Sequence, residues 1–142
     1  MSHELFSEPW LADWVDKIRA SEKYKVAARN WQWPMILIME RDPSLGFPQD
    51  RALYLDLFKG DCREGKLAGQ TEMESTPFII SADAFTWKQV LERKLEPISG
   101  LIRGKLKLKK GNLATLIPYV LAAKELVNTA TEVPTSFPEA MA

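Results

Sequence analysis

Few side chains in this sequence have types and spacings suited to chemistry. It holds one histidine, His3, and one cysteine, Cys62. Ser/His/Asp catalysis needs an imidazole held firmly against its partners, whereas His3 lies two residues from a chain terminus, where order is poor. A zinc site of the usual kind recruits several His or Cys ligands, more than this chain supplies. Cys62 adjoins Asp61, with Glu64 close by, and neighbouring carboxylates keep a thiol protonated instead of activating it. A lone cysteine forms no internal disulfide, which fits a reducing compartment. Asp83 reads as a helix cap, and the glycines form no phosphate-binding fingerprint. What remains is Tyr54 and Asp56 on one alternating segment. They offer an acid or base for an apolar substrate if Asp56 is buried with a raised pKa; its alternative is to face water. No catalytic residue, metal site or cofactor is expected from this inventory, and the chain is read as a non-enzyme.

Charge narrows the partners. The 19 basic and 19 acidic side chains cancel, and without a positive excess there is little to neutralise nucleic-acid phosphates. The one concentration of charge is the alternation Lys105, Lys107, Lys109 and Lys110. Such a row meets anionic lipid headgroups weakly, at about 1 kcal/mol per cation near a charged surface. It is equally a solvated strand face whose lysines discourage edge-to-edge pairing. The acidic start of the chain has no apolar core of a secretory signal. The apolar stretches Met35–Met39 and Leu113–Ala123 are too short to span a bilayer. A cytoplasmic, soluble protein is expected.

The elements that must position these residues follow from periodicity. At 142 residues, 46% apolar and 27% charged, the chain has the length and composition of one ordinary globular domain. Residues 8–30 predict an amphipathic helix with Trp10, Leu11, Trp14, Val15 and Ile18 on one side, capped by Ser7 with Pro9 in the first turn. Met35–Met39 is an unbroken apolar run that predicts a strand buried on both faces. Residues 52–59 alternate, with Leu53, Leu55 and Leu57 on one face, and Gly60-Asp61 turns the chain into a weaker strand. Phe78–Ile80 predicts another strand, followed by a helix carrying Phe85, Trp87, Val90 and Leu91. After Pro97 come one more helical turn, the lysine strand 105–109 and a final helix over Leu113–Val127. Pro118 is tolerated there if Thr115 is the cap, and bends the helix if Asn112 is. A single domain over residues 1–130 is expected, with 131–142 a poorly ordered tail. Strands grouped together between helices predict an α+β fold: a mainly antiparallel twisted sheet of about five strands with helices packed on it.

The final helix is unusual in carrying no charge between Leu113 and Ala123. A helix apolar all round is buried on every side, or covers a ligand space, or is covered by a second copy of the chain as in a homodimer. The chain also has 5 Trp, 6 Phe, 3 Tyr and 5 Met, residues that line small-molecule pockets but also fill ordinary cores.

The segment Phe78-Ile79-Ile80-Ser81-Ala82-Asp83-Ala84-Phe85, continued by Leu95-Glu96-Pro97-Ile98-Ser99-Gly100-Leu101-Ile102-Arg103-Gly104-Lys105-Leu106-Lys107-Leu108-Lys109-Lys110-Gly111-Asn112, resembles the sterol carrier protein domain of the non-specific lipid-transfer family. The likeness extends loosely over residues 8–130 and has the look of a stand-alone microbial member, with no peroxisomal signal in Glu139-Ala140-Met141-Ala142. It implies a twisted sheet and helices enclosing an apolar tunnel for a sterol, fatty acid or fatty acyl chain, carried without catalysis. The final helix and the stripe from Phe85 to Leu95 would form its movable wall. By pattern, Met35, Leu37, Phe78, Ile80, Phe85, Trp87, Leu91, Ile102, Leu116, Tyr119 and Val120 would line it. Two other readings stand beside this one: a small enzyme using Asp56 or Tyr54 in the same cavity, and an interaction module docking through the final helix.

Overall fold

The computed structural model describes residues 2–141. After a two-residue strand, β1 (His3–Glu4), Ser7 starts helix α1 (Glu8–Ala20) by accepting a hydrogen bond from Trp10 N at 3.3 Å. The single helix expected over 8–30 is two. Ser21 sits in extended backbone and caps α2 (Glu22–Ala27), its hydroxyl accepting from Tyr24 N at 3.1 Å. A serine hydroxyl competes for nearby backbone N–H groups, so the chain kinks and restarts at that residue. The kink lets Tyr24 point into the core.

Five strands then form one sheet: β2 (Met35–Met39), β3 (Arg51–Phe58), β4 (Asp61–Leu67), β5 (Phe78–Ala82) and β6 (Lys107–Lys110), in the order β4-β3-β2-β5-β6. The central pair β2–β5 is parallel and the other pairings are antiparallel, so the sheet is mixed, though mainly antiparallel as expected. Being central explains the unbroken apolar run of β2. Met35, Leu37 and Met39 enter the main core, while Ile36 and Ile38 join Ile79 in a smaller cluster on the other face. There Met73 of α3 (Gln70–Ser75) packs over them. Leu53, Leu55 and Leu57 of β3 all face the main core. The β3–β4 turn needs left-handed backbone at Lys59 and Gly60, and a Cβ on Gly60 would lie 2.6 Å from the Lys25 carbonyl oxygen.

Three further helical segments cover the sheet's inner face. Asp83 caps α4 (Ala84–Leu91) through Thr86 N at 2.8 Å, and Glu96 caps α5 (Pro97–Ile102) through Ile98 N and Ser99 N. The final helix starts at Asn112, not Thr115: the Asn112 side chain accepts from Ala114 N at 2.8 Å. It is not continuous either. A four-residue α6 (Leu113–Leu116) passes through a 3-10 turn at Ile117–Tyr119, which holds Pro118, into α7 (Val120–Thr131). Proline lacks the donor that a continuing helix needs, so the break falls there. Helix α7 packs against α1, α2, α4 and α5.

The last dozen residues are not the loose tail expected from Pro134, Ser136 and Pro138. Strand β7 (Thr135–Ser136) pairs parallel with β1, and Val133 and Met141 are buried. Isolated apolar side chains between prolines have no periodicity to announce them, yet each fills a gap in the core edge.

Candidate functional site

Between the inner face of the sheet and the helices lies an internal cavity of about 110 Å³. The sheet contributes Met35, Leu37, Leu57 and Ile80; α1 contributes Trp10 and Trp14; α2 contributes Tyr24; α4 contributes Trp87, Val90 and Leu91. Helix α7 and the turn before it close the opposite side with Tyr119, Ala122, Ala123, Leu126, Val127 and Ala130. No charged side chain belongs to the lining.

The indole N–H groups and the Tyr119 hydroxyl of the aromatic wall are hydrogen-bonded to the protein. Trp10 Nε1 donates to Thr135 Oγ1 at 2.8 Å, Trp14 Nε1 to Thr129 Oγ1 at 2.9 Å, and Trp87 Nε1 to the Ile38 carbonyl at 2.9 Å. Trp31 Nε1 donates to the Trp33 carbonyl at 2.6 Å and Tyr119 Oη to the Asn30 carbonyl at 3.2 Å. Each ring therefore presents its apolar body to the cavity. Trp31 also anchors a cluster of rings, with Trp33, Phe78 and Tyr119 at 5.0–5.1 Å between centroids.

Of the eleven residues expected to line such a space, Met35, Leu37, Ile80, Trp87, Leu91, Leu116 and Tyr119 do so. The other four do not. Phe78 is buried in the ring cluster beside the cavity. Phe85, Ile102 and Val120 are exposed, at 47%, 60% and 39%. Phe85 and Val120 lie two residues from the inward-facing Trp87 and Ala122, and two residues turn a helix through roughly 200°, onto its outer side. The final helix is accordingly not buried all round, since Ile117, Val120 and Leu121 open to solvent. Periodicity did flag Trp10 and Trp14 as an inward stripe, but not that they border empty space. The alanines of α7 carried no signal beyond being small.

Helix, sheet order and cavity together match solved structures. A crystal structure of sterol carrier protein 2 superposes with a TM-score of 0.83 at 46% identity, over 92% of this chain and 99% of that one. The chain belongs to the sterol carrier protein 2 family. The solution structure of a conserved hypothetical protein from Thermus thermophilus, suggested to be a sterol carrier protein, gives a TM-score of 0.84 at 44% identity, covering 96% of this chain and 94% of that one. The apo form of sterol carrier protein 2 from Yarrowia lipolytica shares the fold at 16% identity, with a TM-score of 0.56 over 89% of this chain and 97% of that one. No family model and no curated protein sequence matches the chain.

In this sterol carrier protein 2 member, the residues weighed for catalysis lie away from the cavity. Asp56 accepts from Arg63 Nε at 3.1 Å and from Arg63 Nη2 at 3.2 Å. Tyr54 stands on the sheet face opposite the cavity, with Lys66 Nζ 5.5 Å from its ring centre. The enzyme reading in the same cavity thus loses both of its residues. Cys62 is fully buried, and burial pushes its thiol up to about 11. His3 Nε2 lies 3.7 Å from Asp13 Oδ2. The lysine row is partly engaged. Lys107 pairs with Glu40 at 3.2 Å, and Lys110 donates to the carbonyls of Met73 and Glu74 at 3.2 and 2.7 Å. Lys105 and Lys109 are exposed. Among the described residues, no helix is long and apolar enough to cross a membrane.

Proposed function

We propose that this chain is a cytoplasmic, non-catalytic lipid carrier that shelters a sterol, a fatty acid or a fatty acyl chain between its sheet and its final helix. The observation that carries this reading is the charge-free, aromatic-walled cavity in a fold shared with sterol carrier protein 2 at 46% identity. Burying a long acyl chain at about 0.8 kcal/mol per methylene supplies on the order of 12 kcal/mol. Association costs of roughly 4–15 kcal/mol leave a modest affinity, which suits a molecule that must also release its cargo.

Size demands movement. A cavity of about 110 Å³ is smaller than the roughly 150 Å³ that holds one benzene, so a long chain enters only as the wall yields. The α6–α7 wall is the part suited to do so. Pro118 interrupts its hydrogen-bonded ladder, and its inner face includes three small residues, Ala122, Ala123 and Ala130. Ile102, Ile117 and Leu121, exposed on the covering helices, together with Lys105 and Lys109, give these helices a surface for a bilayer during loading.

Native mass spectrometry and titration with a fluorescent long-chain lipid test the proposal. One lipid per chain is expected, and Ala122→Phe, which fills the cavity from α7, weakens uptake at least tenfold. Persistently empty protein with no uptake rejects the carrier reading.

A further inference from the structure

The helical wall over the cavity, residues 113–131, is fastened unevenly. Among the described residues, its hydrogen bonds to other elements gather near its C-terminal end. Trp14 Nε1 donates to Thr129 Oγ1 at 2.9 Å in the core, Arg93 Nε to Asn128 Oδ1 at 3.0 Å, and Arg93 Nη2 to Thr131 Oγ1 at 3.1 Å. Beyond that end the chain runs on into β7, which pairs with β1. The N-terminal part of the wall has one such bond, from Tyr119 Oη to the Asn30 carbonyl at 3.2 Å. Asn30 is exposed just past α2, while Tyr119 is half-buried and its side chain lines the cavity.

Water decides which end lifts more easily. Once the Tyr119–Asn30 bond breaks, its donor and acceptor lie at the surface, where water satisfies both. Lifting the other end strands the indole donor of Trp14, which is 3% exposed. Pro118, beside Tyr119, has no backbone donor to hold the turn. The outer surface there is apolar as well. Val26 of α2 and Leu121 of α7, 64% and 68% exposed, line one shallow groove with Ala27, Glu22, Lys23 and Glu125.

We infer that the cargo enters and leaves between α2 and the Pro118 turn, the wall swinging about its C-terminal end with Tyr119 as the latch. This rests on the carrier reading and gives the cargo a route. The latch closes the wall whether or not a lipid is inside, so it slows loading and release alike.

Stopped-flow fluorescence on the full chain measures loading of cis-parinaric acid and its release into excess oleate. Tyr119→Phe keeps the ring and removes the latch, and is expected to speed both processes about three- to tenfold, the worth of one net hydrogen bond. Arg93→Met cuts two bonds at the pivot and is expected to leave both rates within about twofold, since the Trp14–Thr129 bond and the β1–β7 pairing remain. Unchanged rates in Tyr119→Phe, or faster release without faster loading, overturn the latch. An Arg93→Met protein that exchanges lipid as fast as Tyr119→Phe does the same. Each of these results leaves the carrier reading standing, whereas an unsubstituted chain that takes up no probe overturns both.

Discussion

Cys62 shows how a correct expectation at the residue scale can rest on a lesser cause. Its acidic neighbours predicted a thiol held protonated, and it is, but burial is the largest cause; Asp61 and Asp56 add to it, and Arg19, whose Nε donates to the Cys62 carbonyl at 2.9 Å, opposes it. An unfolded thiol titrates near 8.5 and this one near 11 when folded. Between those values the native state holds the proton that the unfolded state has lost, so stability falls as pH rises. The expected loss is on the order of 2–3 kcal/mol between pH 8.5 and 11, absent in Cys62→Ala. Denaturant unfolding of both proteins at pH 8 and pH 10.5 measures it, and curves that fall in parallel refute it. Asp56 illustrates the converse. Alternation placed it opposite the leucines correctly, but its engagement by Arg63 across the β3–β4 pair depends on a register that composition does not reveal.

At the scale of elements, helix α1 reaches β4 because Gly65 has no side chain. A Cβ there would overlap Val15 Cγ2 and come within 3.5 Å of Leu55 Cδ2. Gly65→Ala is therefore expected to destabilise the fold by about 1–3 kcal/mol through overpacking. Val15→Ala in the same chain recovers part of that loss, because the methyl group it would strike is gone. A double-mutant cycle by urea unfolding reads the coupling, and simple additivity of the two changes would contradict this close approach. Element identities were legible from period and punctuation: β2 from its apolar run, β3 from alternation, α4 from Asp83. Element continuity was less so. Ser21 and Pro118 each split a stretch whose apolar periodicity runs on past the break, since periodicity reports which face is buried and not whether the backbone is unbroken.

The whole molecule is tied shut by its two ends. Strand β7 lies along β1, Thr135 accepts the indole N–H of the cavity residue Trp10, and Met141 completes the core. Ending the chain at Glu132 removes a buried methionine, worth about 1.5–3 kcal/mol, and strands a buried indole donor at about 1–3 kcal/mol. A combined loss of about 3–5 kcal/mol is expected, read as a lower melting temperature and faster tryptophan quenching. A truncated chain as stable as the full one would return these residues to the status of a loose tail.

Taken by itself, the sequence determined the α+β class, the stripes that face inward, most of the caps and the family likeness, because each is written in local spacing or in a contiguous motif. Only the tertiary structure decided which inward residues border empty space and that Phe85, Ile102 and Val120 face out. The reason is physical. Burial is a property of one residue and its neighbours in sequence, whereas a void is what several distant elements fail to fill between them.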